Sequence, residues 1–244
     1  MDARAVQLDI KEFYSWQYPW QLRHLSMEAQ RGMSDEVFLS RGGDIEQKIQ
    51  EALVGATFSW GFYHLVTAVK AQMAAIHKEA LDIELRSNAG CLYSFEITAA
   101  HPPGYQIRLA YRGGKRPEIS PRAFSGEPIP AEWLASAIIN KTNKVRGKSL
   151  RRHLLVYNNI SGGTNDLWRL PQLLLGSEKV WDSIWIITGV PDCGWIALVS
   201  NSAGLEIPMR ERHLVAKGMT AFWGYWIDRS GFRLIDTTKG VRNE

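Results

Sequence analysis

Two acidic residues lie on neighbouring segments in which apolar and polar residues alternate. In residues 81–86 the polar set includes Asp82, and in residues 93–98 it includes Glu96. A period of two is typical of strands, and it places the polar residues of each strand on one face. If the strands pair, the two carboxylates converge and repel each other unless a cation lies between them. Mg²⁺ (or Mn²⁺) held by carboxylates and phosphate oxygens supports phosphodiester hydrolysis, whereas the plain alternative is a solvent-facing polar face of the sheet.

Hydrophobic periodicity predicts the elements that would position these acids. Apolar residues at helical spacing indicate a helix from residue 45 to about residue 77, with a kink near Trp60. Three strands should follow as an antiparallel meander, over residues 81–86, 93–98 and 105–112. Short turns between these strands would keep them adjacent in one sheet.

The second half of the chain is expected to add a helix and further strands. Residues 131–145 have the spacing of a helix, and residues 153–160 form a continuous apolar run, typical of a strand buried on both faces. A short helix over 167–175 and strands over 183–190, 195–200 and 231–235 complete the list. The expectation is an α/β fold with a mixed central sheet flanked by helices.

The chain is expected to have three divisions. Residues 1–43 are rich in aromatic side chains and are predicted to form an irregular arm packed on the body. Residues 44–200 would form the α/β core, and residues 201–244 a C-terminal extension of strands packed on that core.

Composition and missing motifs limit the classes of protein to be considered. The two cysteines, Cys91 and Cys193, lie far apart and match no metal-binding spacing, which favours a reducing, cytoplasmic compartment. No signal-peptide apolar region is evident, and no apolar run reaches the roughly 18 residues of a membrane helix, so no membrane partner is expected. Motifs of phosphate-loop nucleotide binding, zinc proteases and serine hydrolases are missing from the sequence.

Positive charge is concentrated in one segment of the chain. Residues 97–152 contain eleven Lys and Arg and three Glu, a balance of +8, while the whole chain has a formal net charge of +4. The remainder therefore carries −4. Such one-sided charge is expected of a protein that meets phosphates, although a solvated basic face gives the same pattern. The candidate nucleic-acid contacts are Lys115, Arg116, Arg146, Lys148, Arg151 and Arg152.

The acidic spacing and the order of elements resemble the PD-(D/E)XK, or restriction-endonuclease-like, nuclease superfamily. Asp82 is followed by 13 residues and then by Glu96, Ile97 and Thr98. That superfamily has a first helix, three meandering strands, a second helix and a fourth central strand, and the similarity covers residues 44–160. The resemblance implies a restriction-endonuclease-like core that cleaves DNA with bound Mg²⁺ or Mn²⁺.

The resemblance also implies roles for particular acids. Asp82 and Glu96 would bind the metal, together with an acidic residue of the first helix. Glu46 and Glu51 are the candidates for that third position, and helical phase favours Glu46. Either helix glutamate could instead be an ordinary solvated surface residue.

Thr98 departs from the pattern, because the superfamily has a lysine at this position. That lysine is thought to orient the attacking water or to stabilise the phosphate, and threonine has no charge for either role. Either Lys141 or Lys144, on the second predicted helix, supplies the amine, or the site is inactive.

Two functions therefore stay open on the sequence. The first is a metal-dependent nuclease with Asp82, Glu96, Lys141 and Lys144 as candidate catalytic residues. The second is a catalytically inactive module of the same fold that binds nucleic acid or a partner protein. A homodimer is compatible with both.

Overall fold

A computed structural model of the chain describes residues 10–33, 44–74, 81–101, 131–146, 152–158, 169–188, 193–205, 221–228 and 231–235. Within these ranges the helices are α1 (Pro19–Arg31), α2 (Asp44–Leu65), α3 (Ala131–Val145) and α4 (Leu170–Leu173). The strands are β1 (Val69–Met73), β2 (Ile83–Ser87), β3 (Leu92–Ala100), β4 (His153–Asn158), β5 (Ser183–Thr188), β6 (Cys193–Asn201), β7 (Ala221–Asp228) and β8 (Gly231–Ile235). Short 3₁₀ helices cover Ile10–Tyr14 and Ser177–Val180.

All eight strands belong to one mixed sheet, in which their spatial order follows their order in the chain. The strands β1, β2 and β3 form an antiparallel meander. From β3 to β5 the strands are parallel, and α3 lies on the crossover between β3 and β4. From β5 to β8 they are antiparallel again. The expected α/β class with a mixed, helix-flanked central sheet is confirmed.

The sheet separates two apolar cores. On one face, covered by α1 and α2, the rings of Phe58 and Phe62 pack against Phe95 and Trp185. On the other face, α3 and α4 pack on the sheet through buried residues that include Leu134, Ile138, Leu154, Val156 and Leu170. Because side chains alternate along a strand, Phe95 and Ile97 face α2, and Glu96 between them faces α3.

The helix α2 packs against both α1 and the sheet, and it is apolar on nearly all sides for that reason. Its central residues from Ala52 to Ser59 are all buried. Thr57 and Ser59 satisfy their hydroxyl groups by donating to backbone carbonyls four residues earlier, at 2.8 and 2.7 Å. A methyl group at Gly55 would lie 2.6 Å from Ile83 Cδ1, so the missing side chain allows α2 to approach β2 closely. This approach brings the first turns of α2 beside Asp82.

The predicted helix over residues 45–77 is wrong in its last part. The helix α2 ends at Leu65, and β1 follows with Val69, Ala71 and Met73 buried and the intervening residues half-buried. Apolar residues four apart fit one turn of a helix and also two repeats of a strand, so the periodicity was ambiguous. In the described chain the meander therefore consists of β1, β2 and β3, with β1 in place of the strand that was predicted after them. That predicted strand, residues 105–112, lies outside the described residues.

The N-terminal arm differs from the irregular segment that was expected. Its described part contains α1, and Gln17 forms a backbone bridge with Ala71 of β1, with N···O distances of 3.0 and 2.7 Å. Trp20 stacks on Tyr18 at 4.6 Å between ring centroids and meets Tyr63 of α2 edge-on at 5.5 Å. The backbone bridge attaches the arm to β1, and the aromatic contact of Trp20 attaches it to α2. Within the described ranges, no helix combines the length and apolar character needed to cross a bilayer.

Candidate active site

Asp82 connects β3 with α2. Its backbone N–H donates to the carbonyl of Phe95 at 3.0 Å, and its Oδ2 accepts a hydrogen bond from the Ile97 N–H at 2.7 Å. Its other oxygen, Oδ1, lies 3.2 Å from Lys48 Nζ. Asp82 directly precedes β2, and its side chain contacts both the backbone of β3 and Lys48 of α2.

Lys48 bridges two carboxylates. Its Nζ lies 2.8 Å from Oε2 of Glu51, one turn further along α2, and 3.2 Å from Oδ1 of Asp82. Those two oxygens can therefore be no more than about 6 Å apart. Gln47 donates to the other oxygen of Glu51 at 2.8 Å. An ammonium group thus occupies the position between two carboxylates that would otherwise repel each other.

The electrostatics of this cluster show how close the two acids are. Burial raises the pKa of the Glu51 carboxyl, and the charge of Asp82 raises it further, against the lowering effects of Lys48 and Gln47. Burial lowers the pKa of the Lys48 ammonium, but the charges of Glu51 and Asp82 outweigh burial and leave that pKa raised. Lys48 therefore stays charged, and it compensates only part of the repulsion between the two carboxylates.

Glu96 forms a second cluster on the α3 face of the sheet. Its side chain is fully buried, and its Oε1 accepts a hydrogen bond from Arg152 Nη1, whose side chain is only 2% exposed. Lys141 of α3 brings its Nζ to 3.1 Å from Oε2, a contact without hydrogen-bond geometry that acts by charge. Among the residues described, neither Glu96 Oε2 nor Arg152 Nη2 has a hydrogen-bond partner. Buried polar atoms of this kind favour an additional ligand or water at the site.

The two clusters meet at the backbone of β3. Asp82 binds the amide of Ile97, the residue directly after Glu96, and the strand register places Ile83 opposite Phe95. Asp82 and Glu96 are thus linked through the backbone of β3, but they contact different cations, and the convergence of their carboxylates on one face stays a prediction. Together the site contains three carboxylates and three cations: Glu51, Asp82, Glu96, Lys48, Lys141 and Arg152.

The remaining predicted residues separate into three groups. Lys144, near the end of α3, and Arg146, just after it, are exposed. Glu51 lies beside Asp82, because Lys48 Nζ contacts both carboxylates, and position 46 lies on α2 about 140° around the helix from position 51. The side chain of Glu46 and the candidate contacts Lys115, Arg116, Lys148 and Arg151 lie outside the described residues.

Arg152 requires a correction. It was predicted as a surface contact to phosphate, but it is buried and its guanidinium bonds Glu96. A run of basic residues does not reveal which member turns inward, because that depends on a buried carboxylate 56 residues earlier in the chain. Lys48 was missed for a similar reason, since a Lys and a Glu three residues apart on a helix are an ordinary surface pattern.

The described residues can be tested for their fit to a divalent metal. No group of three or more His, Cys, Asp and Glu side chains in this part of the chain forms a ready metal cage. Mg²⁺, however, needs only one or two protein carboxylates, with waters and substrate oxygens completing its shell. An ion about 2.1 Å from each oxygen requires a separation below about 4.2 Å, so Glu51 and Asp82 would need to close by at most about 2 Å and lose Lys48. The pair fits such an ion after that small change.

Comparison with known proteins adds no family to this description. No protein-family model matches the chain, and no curated protein matches it. The function has to be argued from the chemistry of the site itself.

Proposed function

We propose that this protein is a metal-dependent nuclease that hydrolyses phosphodiester bonds in DNA, with its catalytic centre where β2 begins beside β3. The observation that carries the proposal is the position of Lys141, whose Nζ lies 3.1 Å from Glu96. Thr98 shares the α3 face with Glu96 but brings no charge. Lys141 brings an ammonium group from α3 to this face, where the lysine that the superfamily has at the position of Thr98 would act.

The order of elements supports the same proposal. A helix, an antiparallel three-stranded meander, a second helix and a fourth strand parallel to the third follow one another from α2 to β4. This is the order implied by the resemblance to the restriction-endonuclease-like superfamily. In that arrangement Asp82 and Glu96 occupy the two acidic positions, and Glu51 takes the position of the helix acid.

Each group has a distinct chemical task in this proposal. A bound Mg²⁺ or Mn²⁺ would polarise the scissile phosphate and lower the pKa of a bound water. Glu51 and Asp82 would hold the ion, and Glu96 precedes Ile97, whose amide donates to Asp82. Lys141 would donate to a phosphate oxygen as negative charge develops in the transition state. Arg152 is a positioning residue, because it holds Glu96 and does not reach the protein surface.

The test compares two lysines on the same helix. With Mg²⁺ or Mn²⁺ present, Lys141→Met should lower the cleavage rate at saturating DNA by about 10²–10³-fold, the loss typical of one donor to transition-state charge. Lys144→Met is the matched control, since Lys144 is exposed and should change DNA affinity without changing the saturated rate. Asp82→Asn should remove cleavage altogether, and Thr98→Ala should have little effect.

A second candidate is an inactive module that binds nucleic acid or a partner protein. The observation in its favour is the closed pairing of Glu96 with Arg152, both almost completely buried. If no metal and no DNA form gives cleavage above the Asp82→Asn control, the nuclease proposal fails. Salt-dependent DNA binding would then support a nucleic-acid-binding module, and salt-independent association with a protein would support a partner-binding one.

A further inference from the structure

Lys48 was not among the residues expected to carry chemistry, yet it lies at the centre of the Glu51–Asp82 pair. It is the group through which the two acids contact each other, at 2.8 and 3.2 Å from its Nζ. Its side chain is 29% exposed, whereas those of Glu51 and Asp82 are 14% and 13% exposed. The Lys48 side chain is therefore the most exposed of the three.

We propose that Lys48 is a tethered competitor of the divalent metal, which occupies the Glu51–Asp82 pair in the metal-free protein and must leave it before an ion can bind. This inference rests on the proposed metal-dependent function and adds a residue that sets metal affinity. The two carboxylates cannot hold both cations, because an ion about 2.1 Å from each oxygen takes the space where the ammonium now lies.

The surroundings of Lys48 make its departure feasible. The lysine side chain is long, flexible and partly exposed, so that its ammonium can turn to water without burying an unpaired charge. Arg152 in the neighbouring cluster is the contrast, because it is 2% exposed and cannot leave Glu96 without a large desolvation cost. Of the cations in the site, Lys48 is thus suited to exchange and Arg152 to permanent pairing.

An ion that must displace Lys48 should also stabilise the protein less than an ion that binds a carboxylate pair without a lysine. In the wild-type protein the metal replaces an existing favourable contact, and only the difference between the two contacts appears as affinity. Without Lys48, the two carboxylates repel each other until an ion binds. The lysine therefore weakens metal binding and protects the metal-free fold.

The experiment measures binding of Mn²⁺ to the full-length protein by calorimetry, without DNA. Lys48→Met should bind Mn²⁺ about tenfold more tightly than the wild type, and its melting temperature should rise more on adding Mn²⁺. Lys179→Met is the control for the lost positive charge, because Lys179 is an exposed residue away from this pair. Lys48→Gln, which keeps a donor for the carboxylates, serves as a second variant if Lys48→Met does not fold. Adding Glu51→Gln to either should abolish the gain.

The outcomes separate this inference from the proposed function. Equal or weaker Mn²⁺ binding by both Lys48 variants would overturn the inference, even if the wild-type protein cleaves DNA. Tighter binding with no cleavage by the wild-type protein would leave the inference standing and remove the nuclease function. If neither the wild type nor the variants bind Mn²⁺, the inference fails together with the metal dependence on which it rests.

Discussion

Replacing Arg152 by methionine tests whether the site depends on a buried ion pair. The change removes the guanidinium from a carboxylate that is itself fully buried, while keeping an unbranched side chain of similar length. Removing one partner of a buried pair typically costs about 3–5 kcal/mol, because the other charge is left uncompensated. Lys141, 3.1 Å from the second oxygen of Glu96, keeps part of that charge compensated. We therefore expect a loss near the lower end, about 3 kcal/mol of the free energy of unfolding.

Substitutions of the other two charged residues in this cluster should change the free energy of unfolding in a distinct pattern. Lys141→Met should cost only about 1 kcal/mol, because its side chain is 22% exposed and water can replace it. The double variant Arg152→Met/Glu96→Gln should be more stable than the sum of its single changes predicts, with a coupling of about 2 kcal/mol. A favourable coupling is expected because the second substitution removes the charge that the first leaves unpaired.

Urea unfolding followed by tryptophan fluorescence measures these differences. The midpoint should fall in Arg152→Met while the slope with urea concentration stays unchanged. Arg146→Met is the matched control, since Arg146 is exposed six residues earlier and should change stability by no more than about 0.5 kcal/mol. If the Arg152 and Arg146 variants are equally stable, or if the single changes simply add, the buried pair does not hold the site and the reasoning is refuted.

Three further predictions concern pH, the arm and DNA. Burial lowers the pKa of His153 to about 4, so its contribution to stability is complete above pH 6.5 and is lost as pH falls toward 4. The wild type should lose about 2 kcal/mol from this source between pH 7 and pH 5, and His153→Gln should flatten that dependence in urea titrations. Trp20→Ala should cost about 1–2 kcal/mol in thermal unfolding because it removes the stack on Tyr18, whereas Trp20→Phe should retain most of the stability. Arg146→Glu should weaken DNA binding and reduce its log–log salt slope by about one, and an unchanged slope would exclude a phosphate contact there.

The sequence determined the parts of this fold that depend on local periodicity. The spacing of apolar residues predicted α3 over Ala131–Val145, and alternation placed Glu96 between two inward-facing residues of β3. These predictions hold because side-chain direction in a helix or strand follows directly from its repeat. The same logic failed at β1, where apolar residues four apart satisfy both repeats, and only the pairing with β2 decides between them.

The tertiary structure alone decided which charges meet. Asp82 and Lys48 are 34 residues apart in the chain, and Glu96 and Arg152 are 56 apart. No repeat in the sequence connects such positions. Their contact requires α2 to approach β2 across Gly55 and the chain to enter β4 beside β3. Burial then keeps Glu96 and Arg152 paired, because an unpaired charge is far more costly inside the protein than in water.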